Sequence, residues 1–403
     1  MRRTLPRRAL ASLVLLAALA GCHTAGPRAV RHARVDYNEA MTAAYNEQLL
    51  LNLVRLRYRD TPHFLEVSSL VTSHVLGASA AAAATLGGGG SDVGVSLGGS
   101  YEENPTVIYA PLTGQAFVTR LLTPIQIETL YLLMRSGWSI ERVLRCCVRQ
   151  MNDLLNAPGA DGPTPAYTPV YGEFVDAART LRELQVRHLL RLDAVQAGRG
   201  EAAGADAGGD DRLEFFLVLE EGAPGEARSD VEARQQRLLD ALGVAPTAHG
   251  DARVVPLRAG VVRAAGEEES DAVRLRPRSL MGVFYLLSQG VEVPPEHLRQ
   301  GLVTVTERGD AVPAAWSGGC GPRPWSEGLD WPHTVLADLF TVRTARRRPA
   351  DAFVAVHHRG HWFYVPDCDL ESKTTFALLV QLFALQSGDP KERASAVVLS
   401  LGD

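Results

Sequence analysis

The sequence predicts an α+β protein: a mainly helical N-terminal region that carries an amphipathic β-hairpin, followed by an α+β C-terminal domain. Three observations predict it. Apolar residues recur at helical spacing in four stretches before residue 197. A period-two pattern fills residues 64–110, inside that helical region. After residue 211 the texture becomes short strand-like runs with two or three helices among them, and no regular βαβ alternation. With 403 residues, 46% of them hydrophobic and 22% charged, the chain is long enough for two or three domains and too apolar for wholesale disorder.

The first segment is an address, not part of the fold. Arg2, Arg3, Arg7 and Arg8 form a positive start, and residues 9–20 are an apolar run too short to span a bilayer as a helix. The run ends in Leu19-Ala20-Gly21-Cys22. These residues resemble the lipobox of bacterial lipoproteins. The resemblance implies that residues 1–21 are a signal peptide cleaved before Cys22, with lipid on the Cys22 sulfur and on the new N-terminus. Several acyl chains on one residue anchor stably, at about 0.8 kcal/mol per buried methylene. Cleavage takes the net charge from −5 to −9, because four arginines leave. His23 rather than Asp follows the cysteine, which by the same resemblance directs the chain to the outer membrane. Residues 22–35 are polar, contain Gly26 and Pro27, and read as a tether.

The body from 36 to 197 reads as helical. Asp36 and Glu39 have the spacing of a capping box, and Met41, Tyr45, Leu49, Leu53 and Leu56 follow on one face of a helix over 36–57. Two further helices are expected over 125–135 and 139–156, the second with a stripe of Val143, Leu144, Cys147, Val148, Met151 and Leu155. Prolines and glycines break the pattern over 158–169. A fourth helix is expected over 174–195, with Leu181, Leu184, His188 and Leu192 inward.

Within this region, residues 65–75 and 93–101 each alternate an apolar with a small or polar residue. Ala80 to Ala84 and Gly87 to Gly90 lie between them, as the expected tip. One reading is a ribbon packed on the protein's own core. The sharper reading is a membrane-inserting hairpin, because a barrel strand needs about 9–11 residues with alternating sides. Odd-numbered Val71, Val93, Val95 and Leu97 are then the lipid-facing candidates. A single hairpin leaves open edges, which lipid forbids, so this reading requires a ring of subunits.

Residues 198–211 are rich in Gly, Ala and Asp and read as a flexible linker. The domain over 212–403 is expected to hold strands over 213–219, 253–262 and 272–275 and helices over 231–242 and 279–288. A hairpin should turn at Arg359-Gly360, ahead of a helix over 370–386 and a closing strand over 396–401. Asn46-Glu47-Gln48-Leu49-Leu50-Leu51-Asn52 with Arg55-Leu56-Arg57-Tyr58, Glu292-Val293-Pro294, and Arg359-Gly360-His361-Trp362-Phe363-Tyr364 running to Asp369-Leu370-Glu371-Ser372-Lys373 stand out. These phrases resemble an uncharacterised bacterial lipoprotein family, and the resemblance implies no activity and no functional residue.

Signs of catalysis are sparse. The sequence has no His-Glu-x-x-His, no Walker loop and no Gly-x-Gly-x-x-Gly. His358 and His361 oppose each other across the turn at 359–360, a weak metal pair that lacks the three or four ligands of a zinc site, with Asp367, Cys368 and Asp369 nearby. The plainer reading is an exposed turn. Trp316, Trp325 and Trp331 sit in a proline-rich loop able to stack on sugars or peptides. Cys146, Cys147, Cys320 and Cys368 allow three pairings, although the adjacent pair is geometrically unsuited to bond. The negative charge excludes a general nucleic-acid binder, and no cofactor motif is present. The expectation is a lipid-anchored envelope protein of structural or interaction type. Its partners would be membrane lipid through acylated Cys22 and a homo-oligomer or another envelope protein, in an outer-membrane assembly. The rivals are an envelope hydrolase using His357, His358, His361 and Asp367, and a ligand-binding lipoprotein using the tryptophan loop.

Overall fold

Residues 35–87, 90–165, 169–196, 213–222, 228–249, 252–260, 271–304, 336 and 338–387 are described by a computed structural model, with the backbone alone for 68–105. They form a mixed α+β fold with a helical start, as the hydrophobic pattern predicts. Cys22, the tether, Cys320 and the three tryptophans of the proline-rich loop lie outside the described residues, as do the linker and the closing strand expected over 396–401.

Helix α1 covers residues 35–57. The expected stripe holds: Leu49, Leu53 and Leu56 are buried, and Tyr45 meets Phe383 edge-on at 6.0 Å. Asp36, expected as a cap, is itself helical.

The chain divides into two compact units, and the smaller contains residues 63–121. In it, β1 (Leu65–Gly87) and β2 (Gly90–Pro111) pair antiparallel and join no other strand among the described residues. At about 3.3 Å per residue, strands of 23 and 22 residues reach roughly 70 Å. Helix α2 (Gln115–Leu122) closes the base, where Phe117 meets Phe64 at 5.9 Å and the Leu112 N–H donates to the Phe64 carbonyl.

The larger unit contains 122–384 together with α1. Its seven-stranded sheet runs β4-β3-β9-β8-β6-β5, with β7 also on β8. These strands are β3 (Val148–Met151), β4 (Leu154–Leu155), β5 (Leu190–Gln196), β6 (Leu213–Leu219), β7 (Thr247–His249), β8 (Ala252–Ala259) and β9 (Val273–Pro277). Only β8 and β9 are parallel. The division expected at 198–211 is therefore not a boundary between separate folds. β5 pairs with β6 from Leu190↔Leu219 to Gln196↔Leu213, and β3 pairs with β9, so strands from both sides build one sheet.

Helices α3 (Ile127–Arg135), α4 (Ile140–Cys147), α5 (Gly172–Val186), α6 (Arg228–Leu242), α7 (Leu280–Ser288), α8 (Pro295–Arg299) and α9 (Leu370–Ser387) complete the unit. With them stands a three-stranded sheet in the order β10 (Arg343–Ala345), β12 (His361–Pro366), β11 (Ala352–His358).

Two expected helices are shorter than the periodicity suggests. The stretch expected as one helix over 139–156 ends at Cys147 and continues as β3 and β4. The buried Arg278 guanidinium donates to the carbonyls of Arg145 and Val148, and the Asn156 amide donates to the same two. Carbonyls left over at a helix end need such donors, so these two side chains terminate α4. The predicted stripe still faces inward, with Val143, Leu144, Cys147, Val148 and Met151 all buried. Likewise the helix expected over 174–195 stops at Val186. His188 takes a left-handed φ of 58°, stands exposed in the turn and not inward, and β5 follows.

Candidate functional site

Two features gather the residues singled out by the sequence, one in each unit. The first is the hairpin. Val93 to Tyr101 do not pair with 65–75, as their shared alternation suggests; they pair with Leu76 to Ala84. Leu65 to Val75 pair instead with 102–111. The alanine run is thus strand and not tip, and the pairing continues as far as Gly87 opposite Gly90.

This register changes which positions share a face. Past the irregularity between Val67 and Ser69, odd positions of β1 pair with even positions of β2. Directly opposed residues of an antiparallel pair share a face, and faces alternate along each strand. Position 95 is opposite Ala82, position 97 opposite Ala80 and position 93 opposite Ala84. Val71 is opposite Thr106 and stands an odd number of residues from Ala82, so it is on the other face. The common face expected for Val71 with Val93, Val95 and Leu97 is corrected in this way: the last three share one, and Val71 does not.

The distal part of the ladder is then sharply two-faced. One face holds positions Leu76, Ala78, Ala80, Ala82, Ala84 and Leu86 beside Ser91, Val93, Val95, Leu97, Gly99 and Tyr101, with Ser91 at the tip its one polar member. The other holds Gly77, Ser79, Ala81, Ala83 and Thr85 beside Asp92, Gly94, Ser96, Gly98 and Ser100. Nearer the base, where side chains are described, Val107, Ile108 and Tyr109 are 37%, 49% and 54% exposed. Three consecutive large apolar residues left open in this way are unusual for a finished surface.

The second feature is a polar corner of the larger unit. The Arg359-Gly360 turn has positive φ at both residues, 49° and 83°, as a two-residue hairpin requires, and it sets His358 directly opposite His361. These two histidines are not free polar tips. His358 Nε2 lies 3.2 Å from Asp60 Oδ2, and Arg359 donates to the same carboxylate at 2.9 Å. His361 Nε2 lies 2.9 Å from Glu296 Oε1, which also pairs with Arg346 at 3.0 Å. Their side chains are only 18% and 12% exposed.

Between the two histidines stand His297 and Tyr58. The Tyr58 hydroxyl lies 2.7 Å from His297 Nδ1, and the His297 and His361 rings meet edge-on at 4.9 Å. Burial pushes the Tyr58 phenol well above its ordinary range, so the hydroxyl keeps its proton. Because the His297 ring also donates to the Arg359 backbone, Nδ1 of the neutral ring is left to accept from that hydroxyl. Burial also lowers the pKa of His297, with the charge of His361 adding to the effect. His358 is lowered by burial as well, against the opposing pull of Asp60. At His297 and His358 the fold therefore favours the neutral imidazole. The His361 Nδ1 atom is buried and has no hydrogen-bond partner.

The other residues grouped with these histidines stand apart. His357 is exposed beside Trp362. Asp367 pairs with Lys373 at 2.6 Å, beyond the far end of β12 and about 20 Å from His361 by strand rise. Cys368 is in a disulfide, and Asp369 accepts from the Ser372 N–H at the start of α9. No group of three metal-type ligands occurs among the described residues. Cys146 and Cys147 are free and buried. Burial raises Cys146 to about 11 and Cys147 well above its ordinary value, so both are inert as nucleophiles.

Sequence reasoning missed Tyr58, Asp60, Glu296 and His297, which arrive from the end of α1 and from α8. No local pattern marks them, because what unites them is contact across more than two hundred residues of chain. Among the described residues no helix is long and apolar enough to cross a membrane. No family model, no curated protein and no solved structure matches the chain.

Proposed function

We propose that the chain is a lipid-anchored cell-envelope protein, held at the outer membrane through acylated Cys22. Copies of it assemble, each contributing the hairpin over 65–111 to a shared transmembrane barrel. The observation that carries this is the pairing of 76–86 with 91–101. Each segment is 11 residues long, the reach of a tilted barrel strand. From Leu76↔Tyr101 to Ala84↔Val93 one face is free of polar residues and the other is small or polar, the division a barrel wall requires; Ser91, opposite Leu86 at the tip, is the exception. Tyr101 stands at the proximal end of the apolar face, where aromatic girdles meet the interface. An isolated two-stranded ribbon is marginal in water and has open edges in lipid. A ring of copies removes both problems, and the exposed Val107, Ile108 and Tyr109 are suited to line the contact between neighbours. The disulfide at Cys368 agrees with an oxidising compartment.

The test is the size of the detergent-extracted full-length particle, by light scattering and electron microscopy. Val95→Arg puts a charge near the middle of the apolar face, costing about 2–4 kcal/mol per strand in a barrel, and should abolish the ring. Ser96→Arg, one position along on the polar face, should leave it. Cys22→Ser should leave an unprocessed precursor. A monomer in every case, with 64–110 open to protease in intact outer-membrane vesicles, overturns the assembly. Normal processing and membrane retention of Cys22→Ser overturns the anchor.

One observation favours a second reading, an envelope hydrolase using the polar corner for acid–base work. His361 Nδ1 is buried without a partner next to neutral His297. Turnover of ester or amide substrates by the purified chain, lost in His361→Gln with the fold intact, would support it over the assembly alone.

A further inference from the structure

We infer that the channel formed by these hairpins is cation-selective, with rings of Asp92 and Glu102 at the two ends of its polar wall. This rests on the barrel proposed above and goes beyond it to the class of solute admitted.

The argument starts from register. Asp92 is opposite Thr85 and Glu102 is opposite Val75. Both are even positions of β2, so both share the face of Gly94, Ser96, Gly98 and Ser100. That face is the polar wall. Ten residues separate the two acids, about 33 Å of strand. At a barrel tilt of about 45° this becomes roughly 23 Å along the axis, close to the ~25 Å apolar band of outer-membrane barrels. Positions 92 and 102 therefore stand at either limit of the membrane-spanning wall, and no ionisable residue occupies a position on that face between them.

The composition of the hairpin is an independent observation. Lys and Arg number 41 in 403 residues, so the 47 residues from Leu65 to Pro111 would hold about five at the average rate. They hold none, and their acids are Glu66, Asp92, Glu102 and Glu103. No basic side chain of the hairpin is present to neutralise the acidic rings. In a ring each carboxylate is repeated once per subunit around a low-dielectric wall, which concentrates cations and repels anions. Glu103 is the internal control. It is opposite His74 on the other face, so it is adjacent in sequence yet off the wall.

The detergent-extracted full-length oligomer, reconstituted in planar bilayers of uncharged phosphatidylcholine, gives the test under a tenfold potassium chloride gradient. The expected reversal potential shows potassium preferred over chloride several-fold. Asp92→Asn and Glu102→Gln should each reduce the preference, and the double variant should bring it close to unity. Glu103→Gln should leave it unchanged. Conductance that prefers chloride, a preference surviving in the double variant, or an equal effect of Glu103→Gln overturns the selectivity proposal while the barrel stands. Absence of both ring and conductance in the unmodified protein overturns the barrel, and the selectivity with it.

Discussion

Arg278→Met should be among the most damaging single substitutions in the larger unit. The Arg278 side chain is fully buried, and its guanidinium has five contacts in the structure. Its Nε donates to Asp161, Nη1 to the carbonyls of Arg145, Cys146 and Val148 at 3.2, 3.5 and 2.7 Å, and Nη2 to the carbonyl of Asn156. The Arg278 backbone adds a bond from its N–H to the Cys147 carbonyl at 2.7 Å. Methionine matches the volume and keeps that backbone bond. It strands the carbonyls of Cys146 and Asn156, and it leaves Asp161 with only Arg149 at 3.4 Å. The Asn156 amide still serves Arg145 and Val148, which limits the loss. Removing one partner of a buried charge pair costs about 3–5 kcal/mol, a large share of the 5–15 kcal/mol that holds a typical domain. Arg278→Lys keeps the charge but replaces a planar fork of five donors with one compact centre, so it should fall between. Urea unfolding of the purified chain, followed by tryptophan fluorescence, measures both. If Arg278→Met loses under about 1 kcal/mol, the claim that this side chain ends α4 and fastens β3 to β9 fails.

Other outcomes follow from the same packing. Tyr58→Phe leaves buried His297 Nδ1 without its donor and should cost about 1–3 kcal/mol by urea midpoint. Gly290→Ala sets a Cβ 2.6 Å from the Phe340 backbone oxygen, where no side chain can yield, and should destabilise by about 1–3 kcal/mol or prevent folding. Acid should loosen the polar corner. The folded pKa values of His297 and His358 are below the ordinary 6.5, so their contribution is complete above about 6.5 and is lost as pH falls through the depressed values. A melting temperature that holds flat from pH 7 to pH 5, or rises, would contradict this. At still lower pH, Asp338 adds its own loss: burial opposes its charge, but Arg145 and Arg179 hold it down to about 2. Its contribution is present above its ordinary 3.8 and fades toward 2. A thiol reagent at pH 8 should leave Cys146 and Cys147 unlabelled in the native chain and should label both after unfolding.

Local chemistry explains which elements the sequence made legible. α7 begins where expected because Ser279 accepts from the Gly282 N–H at 3.1 Å, a cap visible as a residue type. The late hairpin turns at Arg359-Gly360, where a glycine next to a polar residue between apolar runs is the signal. β6, β8 and β9 lie within a few residues of their expected bounds because each is a short run with apolar residues at strand spacing between clear breaks. The failures come from distance. Nothing near residue 147 says that Arg278, some 130 residues later, will take the carbonyls of α4 and convert the rest of the stripe to strand. Both readings bury Val148 and Met151, so hydrophobic periodicity alone does not separate them. The polar corner has the same origin, because Tyr58, His297 and His361 reach one another only through the fold.

The hairpin is the more instructive case, because its residues were legible and its geometry was not. Alternation assigns each strand its faces but leaves open which face of one strand joins which face of the other. Treating Val71 with Val95 and Leu97 amounts to pairing odd positions with odd. The base of the ladder does this, since Leu65↔Pro111 and Val67↔Tyr109 are odd with odd. The offset changes by one between Val67 and Ser69, and from there to the tip odd positions meet even ones. A bulge of one residue moves every later position to the opposite face. The consequence is measurable within the proposed barrel. Val71→Arg, on the polar face and proximal to the 11-residue apolar segment, should leave the ring intact where Val95→Arg abolishes it. Both substitutions replace valine with arginine in one hairpin, so composition and propensity are matched and only face and depth differ. If Val71→Arg and Val95→Arg abolish the particle equally, the offset at Ser68 is not the one the ladder uses. The β1 positions placed opposite Asp92 and Glu102 would then have to be reassigned, while both acids keep the face of Ser96 by strand alternation alone.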